Sequence, residues 1–355
     1  MIDFDSNKND YLFSPLLSDK IEELNLISHL EKINLTGHVF ILSSGTTQKS
    51  GLKGYALSKK AIMANAKAVN EHLGLTKDDT WLCSLPHYHI GGLSIYARAH
   101  LSGARVISMN EKWSVDGFMN MLDEVNIVSV VPAQCHDLVK VKKTAPSNLK
   151  YLIVGGDYLN DSLHRDLINL DWPVIRTFGM TEVCSQLATE LKPSKSELLL
   201  KPLGIHALSV SSDHRLLIKS DALFSGSFIC DEDGFKYVEM QTDQYLTSDL
   251  VKLEKGFLIP MGRTGGEIKI KARRIDFYRL KNDFKEFLYT LGLMDKVQIQ
   301  LIDDVRDGYK LQINSLIEID SEIQNKIIHH LKPIDISDFK LVDVLNKTEL
   351  GKDKN

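Results

Sequence analysis

Between residues 39 and 187, short apolar runs alternate with segments whose apolar residues recur at helical spacing. Val39 to Leu42 reads as a buried strand. Ser58 then caps KKAIMANAKAVNEHLG, a helix closed by Gly74. The same alternation continues through TWLCSL (strand), GGLSIYARAHLSG (helix), ARVISM (strand), SVDGFMNMLDEV (helix) and IVSVV (strand). It ends with PAQCHDLVKV (helix with Pro first), LKYLIVGG (strand), NDSLHRDLIN (helix) and PVIRTFG (strand). Repeated βα units predict an α/β fold with a mostly parallel sheet covered by helices on both faces. Ligands of such sheets collect at the carboxyl ends of the strands, which selects the loops Ser43 to Gly54, Pro86 to Gly92, Gly155 to Tyr158 and Gly179 to Glu182.

The flanking regions are patterned differently. Before the first strand, an amphipathic stretch from Ser18 to Ile33 predicts one helix against the body. From about 204 to 262, HRLLIKS, GSFIC, DEDGFKYVEM and VKLEKGFLIP predict a β-rich subdomain. After Gly262-Arg263-Thr264-Gly265-Gly266, a helix near Asp276 to Leu291, a strand KVQIQLI and a helix near Glu322 to Leu331 predict a small α+β domain on a Gly-rich hinge. The expected division is therefore a large domain over residues 1–262 and a small, mobile one over 263–355.

Composition narrows the partners. A chain of 355 residues with 43% hydrophobic and 25% charged residues has the make-up of a soluble globular protein with a sizeable core. The formal net charge of -4 supplies no general attraction to nucleic acid, so small molecules are the expected partners. Cys83, Cys135, Cys184 and Cys230 stand far apart without C-x-x-C spacing, which predicts reduced, buried thiols in a cytoplasmic protein. No run approaches the ~20 apolar residues of a membrane span.

Candidate chemistry centres on FILSSGTTQKSGLKG, Phe40 to Gly54. A strand running into small hydroxyl residues around a glycine presents amides and hydroxyls to an anion. Lys53, set in a Gly-Leu-Lys-Gly turn, would close over it. The spacing is not that of the P-loop G-x-x-x-x-G-K-[ST], and no G-x-G-x-x-G occurs. A solvated Ser/Thr/Gly loop is the other reading of this stretch. His87 and His89 flank Tyr88 without a third ligand at suitable spacing, so no metal pair is expected there.

Four segments in order carry a resemblance. SSGTTQKSGLKG resembles the phosphate loop of the adenylate-forming superfamily of acyl- and aryl-CoA ligases, usually SSGTTGxPKG; it is two residues longer and has Leu52 where proline is usual. FGMTEVCSQ resembles the family's Y-G-M-T-E segment, YLTSDLVKLEKGFLIPMGR its ribose-binding segment, and NKTELGKDK its C-terminal lysine segment. Together with LPHYHIGGLSIYARAHLSGARVI, these are similar to the o-succinylbenzoate-CoA ligases of menaquinone biosynthesis.

The resemblance implies a two-step reaction. A carboxylate attacks the α-phosphorus of ATP to give acyl-AMP and pyrophosphate, and CoA thiolate then displaces AMP. ATP, Mg2+ and CoA would be required, with a possible homo-oligomer. It implies that Ser43, Ser44, Gly45, Thr46, Thr47 and Lys53 hold the β- and γ-phosphates, that Thr181 bonds the α-phosphate and that Glu182 holds Mg2+. Asp249 and Arg263 would bind the ribose, Gly155 and Gly156 line the adenine and acyl rim beside Asp157, and Lys352 reach the forming acyl phosphate. His89 would contact the acid. Arg98 would either fork with a second carboxylate of the acid or extend to solvent from a surface helix.

The chain departs from the family where Gly265-Gly266 replaces the acidic hinge pair and Ala272 a glycine of the loop that approaches CoA. A CoA ligase for a different aryl or acyl acid, or a degenerate nucleotide-binding homologue, shares most of these features.

Overall fold

The computed structural model describes residues 2–43, 51–109, 112–193, 198–264, 267–270, 273–304, 308–332, 334 and 336–345. The chain opens with strand β1 (Asp10–Leu12), helices α1 (Ser18–Glu23) and α2 (Leu26–Glu31), and strands β2 (His38–Leu42) and β3 (Leu52–Ser58). The single helix expected over 18–33 is two. Asn25 takes left-handed dihedrals (φ 49°, ψ 36°) between them, which breaks the helical path and lets Leu26 and Leu30 reach the core.

The βα alternation then runs as the pattern predicts. Helix α3 (Lys59–Leu73) starts where the Ser58 hydroxyl accepts from Ala61 N at 3.0 Å and ends at left-handed Gly74. It is followed by β4 (Thr80–Cys83), α4 (Ile90–Ser102), β5 (Arg105–Ser108), α5 (Val115–Asn120), β6 (Ile127–Val130), α6 (Pro132–Lys140), β7 (Tyr151–Val154), α7 (Asp161–Asn169), β8 (Val174–Met180) and β9 (Ser185–Thr189).

With the short β10 (Lys201–Pro202), these strands form a seven-stranded sheet in the order β10-β9-β8-β7-β6-β4-β5. It is parallel from β5 to β8 and antiparallel from β8 to β10. Adjacent residues of each central strand point to opposite faces. Leu82, Val128, Leu152 and Val174 pack with Phe118 of α5, Leu138 of α6 and Leu163 of α7. Trp81, Ile127, Ile153 and Ile175 pack with Val69 of α3 and Ile95 of α4 on the other face. Burial on both faces explains why these strands read as unbroken apolar runs.

Strands β2 and β3 do not join this sheet. The remaining strands are β11 (His206–Val210), β12 (Arg215–Ser220), β13 (Gly226–Asp231), β14 (Gly234–Glu239), β15 (Gln244–Glu254) and β16 (Phe257–Arg263). A five-stranded sheet runs β1-β2-β3-β13-β14, and a four-stranded antiparallel sheet runs β11-β12-β15-β16. The strands over 204–262 are thus shared between two sheets. Local patterning cannot show such an exchange, because β13 finds its partner β3 far upstream (Ile229↔Lys53).

The last part of the chain comprises β17 (Glu267–Ile270), β18 (Arg273–Asp276), α8 (Phe277–Thr290), β19 (Val297–Asp304), β20 (Gly308–Ser315), α9 (Ser321–Leu331) and β21 (Ile336–Leu341). Its sheet packs Val297, Ile299, Leu311 and Ile313 against Phe284 and Leu288 of α8 and Ile327 and Leu331 of α9. Helix α8 also touches α7 and the loop before it: Lys285 Nζ lies 3.2 Å from Asp157 Oδ2, and Tyr289 donates to Asp166. All four cysteines are free and buried. Among the described residues no helix is long and apolar enough to cross a membrane.

Candidate active site

The hairpin β2–β3 carries the first candidate segment. Leu42 pairs with Gly54, and Ser43 N donates to Lys53 O at 2.9 Å, so both ends of the loop are anchored in a ladder. Lys53 lies within β3 with its side chain exposed, not in a turn as the glycines around it suggest. Gly54 is required there for space: a Cβ would come within 2.4 Å of both Ile41 O and Phe228 Cζ. Ser44, Gly45, Thr46 and Thr47 lie outside the described residues, as do Gly265, Gly266, Ala272 and Lys352.

Glu182 sits in the short turn Thr181–Val183 that joins β8 to β9, with Thr181 half-buried beside it. This turn is tight because Gly179 allows it: a Cβ there would meet Ser185 O at 2.0 Å. Cys184 and Ser185 complete it at positive φ (58° and 122°). Two phenols converge on Glu182. Tyr55 of β3 donates to Oε1 at 2.7 Å and Tyr245 of β15 to the same oxygen at 3.4 Å. Burial, and then the Glu182 charge, push both phenol pKa values well above the ordinary tyrosine range, so both remain donors.

Asp249 and Arg263 face each other across β15 and β16. Arg263 Nε donates to Asp249 Oδ1 at 2.7 Å, and an Nη reaches Oδ2 at 3.4 Å. Burial works against the Arg263 charge, but Asp249, followed by Glu182, outweighs it and holds the guanidinium pKa above its usual value. Tyr278 of α8 lies within electrostatic reach of Asp157, Arg263 and Asp249, and burial raises its phenol pKa. Glu182, Asp249 and Arg263 are therefore one cluster, although 67 residues separate the first two in sequence.

The rim of this cluster is formed by the end of β7. A Cβ on Gly155 would lie 2.5 Å from Thr177 Oγ1, and Gly156 takes φ +89°. Strand β8 thus passes directly beneath the Gly155-Gly156 turn.

Arg98 does not extend to solvent. It is 2% exposed, its Nη2 donates to Ser185 Oγ at 3.1 Å, and its guanidinium carbon lies 5.8 Å from the Trp81 ring centre. Ser185 Oγ in turn donates to Ser94 Oγ at 3.2 Å. Arg98 Nε has no partner among the described residues, and no carboxylate among them lies within ion-pair distance. Burial alone lowers the guanidinium pKa to about 9, so the group stays charged near neutrality. His89 stands half-buried at the N-cap position of α4, without a side-chain capping bond, and its ring lies 4.9 Å from that of Tyr88. Among the described residues no group of three or more His, Cys, Asp or Glu side chains could hold a metal ion. A cation at Glu182 would thus need non-protein oxygens to complete its shell, the usual situation for Mg2+ bound with phosphates.

The family resemblance points to Glu182, Asp249, Arg263 and Arg98, but not to Tyr55, Tyr245, Tyr278 or Ser185. For Tyr55 the only sequence signal is a tyrosine directly after the Lys53-Gly54 pair.

Comparison with known proteins bears on the family. Residues 36–207 match the AMP-binding enzyme family. A 2-succinylbenzoate–CoA ligase of Bacillus cereus (strain AH820) is 32% identical over 281 residues, covering 72% of this chain and 57% of the relative. One from Staphylococcus epidermidis (strain RP62A) is 26% identical over 306 residues, covering 79% and 61%. The chain thus spans about three fifths of the length of these relatives. Among solved structures, o-succinylbenzoate coenzyme A synthetase from Bacillus subtilis in complex with ATP and magnesium ion superimposes with a TM-score of 0.75 at 21% identity, covering 97% of this chain and 78% of the other. The Escherichia coli enzyme's R195K variant gives a TM-score of 0.66 at 18% identity, covering 86% and 64%. Residues 36–207 thus carry the match to the AMP-binding enzyme family, and the chain is similar in sequence to these 2-succinylbenzoate–CoA ligases.

Proposed function

We propose that this protein is an ATP-dependent, AMP-forming acid–CoA ligase whose acid carries a second carboxylate, as o-succinylbenzoate does. The observation that carries the reading is Arg98, a buried cation whose charge no carboxylate among the described residues answers. Burying a charge without a partner is costly, and a ligand carboxylate would supply the missing one. The relatives named 2-succinylbenzoate–CoA ligase support the same acid.

In this reading the protein aligns and neutralises and does not supply a nucleophile. Asp249 would accept from the ribose hydroxyls, exchanging part of its bond to Arg263 for them, and Gly155 and Gly156 would pack against the base. The hairpin from Ser43 through Ser44, Gly45, Thr46 and Thr47 to Lys53 would hold the outer phosphates. Thr181 would bond the α-phosphate. Glu182 would hold Mg2+, which supplies neutralisation of phosphate charge when bound. His89 would contact the acid, and Lys352 would approach the acyl phosphate from a mobile domain over residues 263–355. Reduced, buried thiols fit a cytoplasmic setting.

The test is pyrophosphate release from ATP and Mg2+ with o-succinylbenzoate, with and without CoA, against a panel of aryl and fatty acids. The reading predicts release with o-succinylbenzoate and a CoA thioester seen by mass. Silence across the panel from a protein that still binds ATP would contradict it, and release with another acid alone would overturn the assigned substrate.

A further inference from the structure

Tyr55 reaches Glu182 from another sheet. Its strand lies between β2 and β13 (Ile41↔Tyr55 and Ser227↔Tyr55), its side chain is buried, and its hydroxyl ends on Glu182 Oε1 at 2.7 Å. A buried phenol needs some acceptor, but a backbone carbonyl would satisfy that need. Here the acceptor is the half-buried carboxylate of a turn in the seven-stranded sheet. Phe224 fixes the arrangement. Its ring stands edge-on to Tyr55 (5.3 Å, 80°) and to Tyr245 (5.1 Å, 86°), and its N donates to Glu182 O at 2.9 Å. The Phe224 ring thus packs against both phenols, and both phenols go to the same carboxylate oxygen. Among the described residues, Oε2 is left as the oxygen free to face a cation.

We propose that Tyr55 is a positioning residue for Glu182: its hydroxyl pins Oε1 so that Oε2 is presented to the divalent cation of a bound nucleotide, with Tyr245 as a weaker second pin. This rests on the proposed reading of Glu182 as the cation's ligand. Tyr55 follows Lys53 by two positions on the same strand, so one rigid element sets both the loop that would hold phosphates and the carboxylate that would hold their cation. Partners that orient a metal ligand commonly change metal affinity by about 10–100-fold when removed. Tyr55→Phe keeps the ring and its packing on Phe224 and removes only the donor.

The experiment is a Mg2+ titration at fixed ATP, read as the rise in unfolding temperature, for the parent protein, Tyr55→Phe, Tyr245→Phe and Glu182→Gln. The expected result is a parent that responds, a Tyr55→Phe midpoint about tenfold higher in Mg2+, a smaller shift for Tyr245→Phe, and a greatly weakened response in Glu182→Gln that Tyr55→Phe does not worsen further. A purely structural role would lower the ligand-free unfolding temperature of Tyr55→Phe and leave its Mg2+ midpoint at the parent value, which would overturn the proposal. Should Tyr55→Phe not fold, an unshifted midpoint in Tyr245→Phe would overturn it equally. A parent that does not respond to Mg2+ and ATP at all would instead overturn the reading of Glu182 on which the proposal rests.

Discussion

Arg98 and Arg176 are both nearly inaccessible, at 2% and 5% exposure, and they are solved differently. Arg176, on β8, donates to Glu190 Oε1 at 2.6 Å, while Glu190 Oε2 accepts from the Arg176 backbone N at 2.9 Å. Asp161 adds a carboxylate at 3.9 Å. Its charge is closed inside the fold. Arg98, on α4, has a serine hydroxyl and the face of Trp81. Its charge is stabilised in part and answered by no anion of the described chain. A fold that sets one buried guanidinium against two carboxylates leaves the other without one among the described residues.

The two arginines should respond oppositely to removal. Arg176→Met strands Glu190 in the interior and should cost about 3–5 kcal/mol, read from urea unfolding. A loss below about 1 kcal/mol would remove the distinction between the sites. Next in size is an effect of pH. Burial, and then the Arg176 charge, push His164 down to about 4 from its ordinary 6.5. As pH falls, the unfolded chain therefore takes up that proton first. The stability this represents is complete above about pH 6.5 and is lost progressively toward pH 4, by about 2–3 kcal/mol. His164→Gln should flatten unfolding free energy against pH over that window; an unchanged slope would show that His164 does not feel the closed pair.

Ser185→Ala removes the hydroxyl that Arg98 binds and should cost about 2 kcal/mol, because it deprives a buried charged donor of an acceptor. Arg98→Met should be the mildest of the four. It should leave ligand-free stability within about 1 kcal/mol of the parent or above it, since it removes a buried charge with little compensation. A loss comparable to that of Arg176→Met would mean that Arg98 is part of the core's support.

How much of this was legible in the sequence depends on the range of the interactions. The βα units from Lys59 to Met180 follow from local patterning and caps such as Ser58 and Asn160, and the structure has them nearly as read. The FGMTE segment points to Glu182, and the Asp249 and Arg263 named by the ribose-binding segment pair on adjacent strands. What escaped depends on partners distant in the chain. The pairing of β3 with β13 moved Lys53 from a turn into a strand and split the β-rich region between two sheets. Tyr55 touches a carboxylate 127 residues away, and no periodicity records that. The burial of Arg98 depends on Trp81 and Ser185, which the helical pattern of α4 cannot foresee.

The most direct test of the central claim is the ratio of kcat/KM for o-succinylbenzoate to that for benzoate in the parent and in Arg98→Met. If the substrate's second carboxylate completes the Arg98 charge, the ratio should fall roughly a hundredfold, consistent with the ~2–5 kcal/mol lost when one partner of a buried charge pair is removed. A ratio that stays at the parent value, whether both acids lose activity or neither does, would contradict the claim.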